Sequence, residues 1–417
     1  MEIPTKYITP PENCTGCALC ANVCSKNAIR MIWSKDGFLV PTVDTQACVN
    51  CGLCVKMCPA QPGGMRDEQY HDDIASVVAY GGWNKDATTL QHSSSGGVFS
   101  ALAAKIYAAG GCVFGVVWQD KETAVFAKAE NMEQLAPMRG SKYTQAMPGG
   151  VYREVKAELQ KGRQVLFTGT ACQVHALKKY LRKPYDNLLT FDIVCHGVPS
   201  RKLLQLYIEH CENESNKEVQ QLNFRVKKGN WLRYQVQKLY KDGTTQEDVS
   251  GNDLFMHLFI GDKMLNKCCY NCPHAHLPRP GDMTLGDYWG VQNLHPDWPI
   301  KEGIGSLIAN TEKGKTILAS LAAEAKITLH IEPFANLFKG QARSYLRGDY
   351  HEIPKDRDAA LVALSSSPLL DVHREFYNKL KIGPFSMQRE SVLHKLILFP
   401  RRVISFAYRK TKQLFKH

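Results

Sequence analysis

Apolar positions along the chain recur with two alternating periods between residues 76 and 210. Short apolar runs of strand length alternate with segments whose apolar residues have helical spacing. Strands and helices that alternate at these lengths indicate βαβ units. The pattern therefore predicts an α/β domain. Its predicted strands are SVVAYGGW, CVFGVVW, VFAKA, QVLFTGT and LLTFDIVC, and its predicted helices cover residues 97–109, 152–160, 172–181 and 201–210.

Two later segments have a different pattern. LNFRVKK and YQVQKLY, separated by GNWLR, resemble an antiparallel pair, so we expect the sheet to be mixed. Upstream, the polar stretch AQPGGMRDEQYHDD is rich in Pro and Gly and predicts a linker, with a boundary near residue 70. We therefore predict an α/β (α+β) fold with three parts: residues 1–65, 72–345 and 346–417.

Length and composition favour a soluble globular protein. The chain has 417 residues, of which 44% are hydrophobic. The first residues, MEIPTKYITPPEN, contain no basic and apolar signal, and no apolar run reaches the roughly 20 residues that span a bilayer. We expect a cytoplasmic protein. Its fifteen cysteines, many of them two or three residues apart, suit metal clusters better than disulfides.

Much of the formal charge of +12 is concentrated at the C-terminus. Residues 386–417 contain eight Lys or Arg and one acid, Glu390. Pro400 divides two helix-like, amphipathic halves. Such a helical basic tail can contact an anionic membrane, here on the cytoplasmic face, or dock on the protein itself. No recognition fold or aromatic stacking platform supports a nucleic-acid partner.

Two cysteine runs at the N-terminus carry the strongest chemical signal. Each run has the spacing C-x2-C-x2-C-x3-C, and this part resembles a bacterial two-cluster ferredoxin. Three thiolates of a run meet one [4Fe–4S] cluster, while the fourth reaches the other cluster. The predicted ligand sets are Cys14, Cys17, Cys20 and Cys58 for one cluster, and Cys48, Cys51, Cys54 and Cys24 for the other.

Two turns have the composition of phosphate or flavin contacts. HSSSGGVFS, residues 92–100, places small hydroxyl and glycine residues before a predicted helix, where free N–H groups can face an anion. RGSKYTQA, residues 139–146, adds two cations to a glycine turn. An ordinary N-cap and a solvated loop are the alternatives.

The order of the segments is more specific than any one of them. SSSGGVFSALAAKIYAAGGCVFGVVW, RGSKYTQA, VLFTGTACQVHALKKYL, FDIVCHGVPS, CCYNC and DMTLGDYWG resemble, in this order, the coenzyme F420 hydrogenase/dehydrogenase beta-subunit family over roughly residues 10–340. The resemblance implies an FAD-binding α/β domain beside iron–sulfur clusters. It leaves open whether the deazaflavin coenzyme F420 is used. The family's flavin segments match Ser94, Ser95, Gly96, Gly97, Gly140, Ser141, Lys142 and Tyr143.

A second cysteine group follows from the predicted topology and the same resemblance. Cys172 and Cys195 lie at the ends of two neighbouring strands, and Cys269 and Cys272 match the family pattern. These four are candidate ligands of a third [4Fe–4S] cluster. Two alternatives stay open: zinc bound by Cys269, Cys272 and the histidines at 274 and 276, or small buried cysteines without a metal.

Two side chains are candidate catalytic groups, and two functions compete. His196 can donate a proton or a hydrogen bond, and Lys142 can place a cation beside the flavin. The first hypothesis is an FAD-dependent iron–sulfur oxidoreductase whose partner is a redox protein or a small redox substrate. The second is a non-catalytic electron-transfer subunit or cluster-bearing adaptor for a partner enzyme.

Overall fold

The computed structural model describes residues 8–61, 76–345 and 352–377, without the side chains of residues 342–345. The predicted boundary near residue 70 and the basic tail from residue 386 lie outside these residues. Among the helices that the structure describes, none has the length and apolar character to cross a bilayer.

The N-terminal region folds as a small unit around its cysteines. A β-hairpin pairs Ile29 with Val43, and two short helices follow the cysteine loops. Cys20 and Cys58 are buried among Ile8, Ile29 and Val43. Because so small a region has little apolar core, the buried cysteines form part of its interior. Its elements are α1 (Leu19–Val23), β1 (Ile29–Trp33), β2 (Leu39–Val43) and α2 (Leu53–Lys56).

A mixed eight-stranded sheet forms the centre of the molecule. Its strands are β3 (Val78–Asn84), β4 (Cys112–Trp118), β5 (Ala124–Ala129), β6 (Val165–Thr170), β7 (Leu188–Ile193), β11 (Met283–Asp287), β12 (Gly305–Ala309) and β13 (Ile327–Glu332), in the order β13-β3-β12-β11-β7-β6-β4-β5. The central four, β11, β7, β6 and β4, are parallel. The outer pairings are antiparallel. The five strands predicted from the sequence all belong to this sheet.

Helices cover both faces of the sheet, as parallel strands require. They are α3 (Ala87–Gln91), α4 (Val98–Ala108), α5 (Met132–Leu135), α6 (Val151–Gln160), α7 (Ala171–Leu181), α11 (Glu312–Ala323) and α12 (Phe334–Tyr345). On one face, α6 and α7 bury Tyr152 and Leu177 against Phe167 of β6. On the other face, α4 and α11 bury Leu102 and Leu318.

The antiparallel pair predicted within the main sheet forms a separate sheet instead. β8 (Val219–Val226), β9 (Gln235–Tyr240) and β10 (Thr245–Val249) make a three-stranded antiparallel sheet. Side chains of β9 alternate between buried and half-buried, so only one face needs a covering layer. That layer contains α8 (Arg201–Ser215) and α9 (Leu254–Ile260). The prediction of an antiparallel pair is confirmed, but its placement in the main sheet was wrong.

The described C-terminal helices complete this second core. Leu361, Leu369 and Phe376 are buried with residues of α8 and α9. Phe38, from the N-terminal hairpin, is 5% exposed in the same core. Burying such a side chain stabilises the contact by about 1.5–3 kcal/mol. The elements are α10 (Lys267–Tyr270), α13 (Arg357–Ala363), α14 (Leu369–Val372) and a π-helical turn over His373–Tyr377.

Polar contacts also fix the cysteine region to the α/β part. The guanidinium of Arg153 donates to the carbonyl oxygens of Ala21, Asn22 and Cys24. Gln145 is buried, donates to the Thr15 carbonyl oxygen at 3.0 Å and accepts from the Leu39 amide at 2.8 Å. The cysteine loops are therefore held at a defined position on the larger sheet.

Candidate redox site

Four predicted cluster ligands line one small cavity: Cys14, Cys17, Cys20 and Cys58. Cys58 belongs to the second cysteine run, so the fold brings it to the first run, as an exchange of fourth ligands requires. Apolar side chains such as Met31 complete the wall.

The chemistry of this cavity fits an iron–sulfur cluster. Burial raises the pKa of Cys14 to about 12 and that of Cys58 to about 11, and neighbouring cysteines contribute to both shifts. Buried thiolates are costly unless a cation compensates their charge, and iron supplies that charge. Within residues 8–61, 76–345 and 352–377, no group of three Cys, His, Asp or Glu side chains has the geometry to hold a single metal ion. A cubane distributes its thiolates over several irons, so it needs a wider arrangement than one ion does.

The second predicted ligand set lies nearer the surface. Burial raises the pKa of Cys54, and the nearby Cys48 and Cys24 contribute to the shift. Cys24 comes from the first run and accepts a hydrogen bond from the Ala28 amide at 3.3 Å. Cys51 is exposed to solvent. Its loop therefore gives the cysteine region an edge that a second molecule can reach.

The structure also brings together cysteines that are far apart in the sequence. Cys172 lies in the first turn of α7, directly after β6. Burial raises its pKa well above the ordinary value, and the nearby Cys195 and Cys272 contribute to the shift. The Thr170 hydroxyl, at the N-cap of α7, lies 3.1 Å from the Cys172 sulfur. A hydroxyl and a helix N-terminus both favour a thiolate at this place.

Two more cysteines join this group from α10. The Val198 amide donates to the Cys269 sulfur at 3.5 Å. The neighbouring Cys269, burial and the nearby Cys172 raise the pKa of Cys268 well above its ordinary value. Cys269 belongs to the third ligand set predicted from the sequence, and Cys268 does not. The group therefore contains five thiols, one more than a cubane binds.

The described residues give the zinc alternative no support. The His274 ring is buried and packs edge-on against His175, with ring centroids 5.1 Å apart. Burial lowers the pKa of His274 well below its ordinary value. His276 is exposed and hydrogen-bonds to a carbonyl oxygen. The two histidines thus have different environments, and no single-ion arrangement forms here among the described residues.

The third cysteine group touches the loop of the first. The Cys268 sulfur donates to the Cys14 carbonyl oxygen at 3.4 Å, and the Asn266 amide donates to the same oxygen at 3.0 Å. The Tyr152 hydroxyl donates to the Cys17 carbonyl oxygen at 2.8 Å. Direct contact between ligand loops is the arrangement that short-range electron transfer needs.

Arg225 joins the two predicted flavin segments, and the sequence analysis missed it. It forms a bidentate ion pair with Asp287, at 2.7 and 3.0 Å, and donates to the Ser94 carbonyl oxygen at 3.0 Å. It also donates to the Tyr143 hydroxyl at 3.4 Å and stacks on the ring of Tyr234. The signal in the sequence was a basic residue inside the apolar run of β8.

The serine–glycine turn is shaped largely by its own packing. A Cβ on Gly96 would lie 2.4 Å from the Gly82 carbonyl oxygen, so only glycine fits there. Gly97 has a φ of +73° and is the N-cap residue that precedes α4. The Ser95 hydroxyl donates to the Ile304 carbonyl oxygen at 2.9 Å, so it already has a partner.

The remaining flavin candidates leave room for a ligand. The hydroxyls of Ser94 and Ser141 lie 3.5 Å apart, so the two predicted segments meet. Gly140 has a φ of +80°, and a Cβ there would meet no atom within 4 Å. The residues that fit a flavin contact are therefore Ser94, Ser141 and the backbone around Gly140.

The ammonium groups of two lysines donate hydrogen bonds to backbone carbonyl oxygens. Lys142 donates to Pro137, Arg139 and Gly140 of its own loop, at 2.8 to 3.2 Å. Burial lowers its pKa to about 7. Lys227, which the sequence analysis missed, donates to carbonyl oxygens of three separate segments: Leu90, Ser95 and Glu302. In this conformation the ammonium group of Lys142 therefore holds its own loop together through its three hydrogen bonds.

His196, the other catalytic candidate, is paired with a carboxylate. Its Nε2 lies 2.7 Å from Oδ1 of the buried Asp262. Its ring packs edge-on against Phe259, with centroids 4.8 Å apart. It follows Cys195 directly, so it lies beside the third cysteine group. A catalytic role for His196 stays a prediction.

Comparisons with known protein families agree with both resemblances. Residues 13–61 match the 4Fe-4S dicluster domain, and residues 162–333 match the C terminus of the coenzyme F420 hydrogenase/dehydrogenase beta subunit. The two family resemblances predicted from the sequence are thus confirmed, as is the iron–sulfur character of the N-terminal region.

One named protein and one solved structure are similar to parts of this chain. One is the iron-sulfur A subunit of the CoB--CoM heterodisulfide reductase of Methanocaldococcus jannaschii, which is 43% identical over 117 residues. That match covers 24% of this chain and 17% of the relative. The other belongs to the F420-reducing [NiFe] hydrogenase complex from Methanosarcina barkeri and has 18% identity and a TM-score of 0.45, covering 68% of this chain and 90% of that one.

Proposed function

We propose that this chain is an iron–sulfur flavoprotein oxidoreductase. Its residues 13–61 match the 4Fe-4S dicluster domain, and its residues 162–333 match the C terminus of the coenzyme F420 hydrogenase/dehydrogenase beta subunit. Its role is to pass electrons between [4Fe–4S] clusters and a two-electron donor or acceptor. FAD supplies the conversion between single electrons and pairs when it is bound. The protein residues hold the groups, order them in space and exclude water.

One observation carries this proposal: the cysteine groups adjoin one another. The exposed loop of Cys51 and the cavity of Cys14 belong to the same small region. Cys268 and Asn266 then connect the Cys14 loop to the group around Cys172. This arrangement supports three [4Fe–4S] sites, with Cys172, Cys195, Cys269 and Cys272 as the third ligand set.

The flavin would be held where the two glycine–serine segments meet. Ser94 and Ser141 offer hydroxyls, and Gly140 leaves open space beside its backbone. Arg225 fixes the Ser94 carbonyl and the Tyr143 hydroxyl, so the local shape is set before a ligand binds.

Electrons would arrive from a separate carrier at the Cys51 loop. Val49 is 60% exposed there, although it is apolar. Lys26 and Lys56 are exposed and each follows a predicted ligand by two residues. Neither lysine has an ion-pair partner in the part of the chain that the structure describes. An apolar spot with basic neighbours suits a carrier protein with an acidic surface.

Cofactor analysis of anaerobically purified full-length protein tests the proposal. We expect about 12 iron atoms per chain, as three cubanes require, and one FAD released on denaturation. Cys172→Ala should retain about 8 iron atoms. Ser141→Asp should lose FAD and keep its iron, because a carboxylate repels the flavin phosphates.

A matched change separates the flavin site from general effects of charge. Ser366→Asp places the same carboxylate on an exposed serine of the C-terminal region and should keep FAD. Wild-type protein with about 8 iron atoms would remove the third cluster. Protein that contains iron but binds no flavin, even when FAD is added, would remove the flavoprotein proposal.

One observation favours the alternative of an electron-transfer subunit without substrate chemistry. The ammonium of Lys142, one of the two catalytic candidates, is held by three carbonyl oxygens. Such a lysine stiffens its loop and is not aimed at a substrate. A stoichiometric partner that co-purifies with the chain, together with the absence of flavin, would favour this alternative.

A further inference from the structure

We propose that Arg279 is a positioning residue of the third cluster site and holds the segments of Cys195 and Cys272 together so that they bind one [4Fe–4S] cluster. This inference rests on the proposed third cluster. The Arg279 side chain donates from Nη1 to the His274 carbonyl oxygen at 3.0 Å and from Nη2 to the Ile193 carbonyl oxygen at 3.1 Å. His274 follows Cys272 by two residues, and Ile193 precedes Cys195 by two. One side chain therefore joins the main chain of both segments.

The strand register places two of the predicted ligands side by side. Thr170 of β6 lies opposite Ile193 of the parallel strand β7. Cys172 follows Thr170 by two positions, and Cys195 follows Ile193 by two. Both cysteines therefore lie just beyond the carboxyl ends of neighbouring parallel strands, at the edge where α/β proteins bind cofactors.

Main-chain hydrogen bonds bring another predicted ligand to the same edge. The Val198 amide donates to the Cys269 sulfur at 3.5 Å, and the Asn266 amide donates to the Val198 carbonyl oxygen at 2.9 Å. A Cβ on Gly197 would lie 3.5 Å from the Cβ of Cys269. The segment after β7 thus contacts α10, and Arg279 adds a link between β7 and the chain beyond α10.

The position of the guanidinium is fixed from the centre of the sheet. Nε of Arg279 donates to Oδ1 of Asp192 at 2.8 Å, and the two side chains are 2% and 0% exposed. Asp192 belongs to β7, and its carboxylate also accepts from the Gly281 amide at 2.8 Å and from the Thr284 hydroxyl at 3.0 Å. Because these bonds hold the carboxylate in place, they also orient the guanidinium.

This arrangement requires arginine and not merely a positive charge. The planar fork of N–H donors bonds one carboxylate and two carbonyl oxygens at once, whereas a lysine ammonium is a single point of charge. Groups that orient metal ligands from outside typically contribute roughly 10- to 100-fold to metal affinity. Arg279→Lys keeps the charge beside Asp192 and loses the fork, so it should weaken the hold on the third cluster.

The test follows iron release from anaerobically purified full-length protein to a ferrous-iron chelator. In Arg279→Lys, about 4 of the 12 iron atoms expected for three cubanes should leave about tenfold faster than in wild type, and the other 8 at the wild-type rate. Electron paramagnetic resonance of the reduced protein should show the loss of one cluster signal. Thr284→Val removes one donor to Asp192 and little volume, so it should accelerate release of the same iron by a smaller factor.

Arg225→Lys is the matched control. It breaks another buried arginine–aspartate pair, with Asp287, in a different part of the α/β region. Its iron should leave at the wild-type rate, even if urea unfolds the protein more easily. Equal acceleration in Arg225→Lys and Arg279→Lys would show that loss of a buried ion pair loosens the whole protein, and the positioning role would be wrong.

Two further outcomes separate this inference from the proposal beneath it. Wild-type rates of iron release in both Arg279→Lys and Thr284→Val would remove the positioning role and leave the third cluster in place. Wild-type protein with about 8 iron atoms would instead refute the third cluster itself.

Discussion

Buried cations are the most unusual individual residues in the structure. Arg225 is neutralised by Asp287, but the ammonium of Lys227 contacts only carbonyl oxygens among the hydrogen bonds described for it. Burial is the largest effect on Lys227 and lowers its pKa to about 7. Because its three acceptors belong to α3, the Ser95 turn and the loop before β12, this lysine joins segments that frame the candidate flavin site.

The low pKa of Lys227 predicts a pH-dependent stability. Between about pH 7 and about pH 10 the unfolded chain binds a proton at this lysine that the folded chain has released, so folding becomes more favourable as pH rises. The free energy of unfolding of wild type relative to Lys227→Met should therefore increase over this range, by up to about 4 kcal/mol. Urea unfolding under anaerobic conditions, followed by tryptophan fluorescence, measures it.

The neighbouring Lys228 provides the control. Its side chain is 56% exposed and pairs with Glu247 at the surface. Lys228→Met should give a difference from wild type that stays nearly constant with pH. If the Lys227→Met difference were equally flat, the lysine would be charged in the folded state throughout, and the predicted dependence would be wrong.

At the scale of single elements, the start of α7 combines helix capping with cluster chemistry. Thr170 and Gln173 form a capping box in which each side chain accepts an N–H of the other's backbone. Cys172 lies inside this first turn, 3.1 Å from the Thr170 hydroxyl. One threonine therefore fixes the helix and stabilises the thiolate of a proposed ligand.

Thr170→Ala should weaken both roles. Loss of an N-cap costs about 1 kcal/mol in the free energy of unfolding. Loss of the hydroxyl also removes a hydrogen bond to the Cys172 sulfur, so a chelator should remove the iron of the third site faster than in wild type. Unfolding in urea and iron release, followed by the decline of visible absorbance, measure the two effects.

Thr311→Ala is the matched comparison. Thr311 caps α11 by accepting the Gly314 amide at 3.2 Å, and no cysteine lies in that turn. Both variants should lose a similar free energy of unfolding, while only Thr170→Ala releases iron faster. Equal rates of iron release in the two variants would mean that the Thr170 hydroxyl does not act on Cys172.

At the scale of the whole molecule, the cysteine region lies between an outer surface and the larger sheet. Leu19 packs into the core beneath α6 and α7, and Phe38 packs into the core beside the second sheet. Two separate cores therefore hold the same small region. Its free side bears Val49 and Cys51, with Lys26 and Lys56 among its exposed residues.

Charge reversal on this free side should slow reduction by an acidic carrier. With Lys26→Glu and Lys56→Glu combined, the second-order rate of electron transfer from a reduced acidic [2Fe–2S] ferredoxin should fall about tenfold or more at low salt. The reason is loss of electrostatic steering, so the difference from wild type should shrink as salt screens the charges. Stopped-flow absorbance measures the rate.

The control moves the same charge change to another surface. Lys301→Glu and Lys326→Glu combined alter two exposed lysines of the α/β part and should leave the rate near that of wild type. Equal slowing by both pairs would show that only net charge matters, which would remove the docking surface from the proposal.

The sequence determined every feature that depends on short spacing or a regular period. The cysteine runs specified a dicluster domain, because ligand loops around a cubane are local structures. The apolar runs specified the five strands predicted for the main sheet and the helices between them, because periodicity depends on neighbouring residues. The order of motifs was enough to indicate the family whose model matches residues 162–333.

Only the tertiary structure decided which distant residues meet. The pairing of Arg225 with Asp287 spans 62 positions, and the contact of Cys268 with Cys14 spans 254 positions. The separation of β8, β9 and β10 into their own sheet was equally hidden, because an alternating strand shows that it has a buried face but not which layer covers it. Long-range contacts depend on how complete elements pack, and no local pattern records that packing.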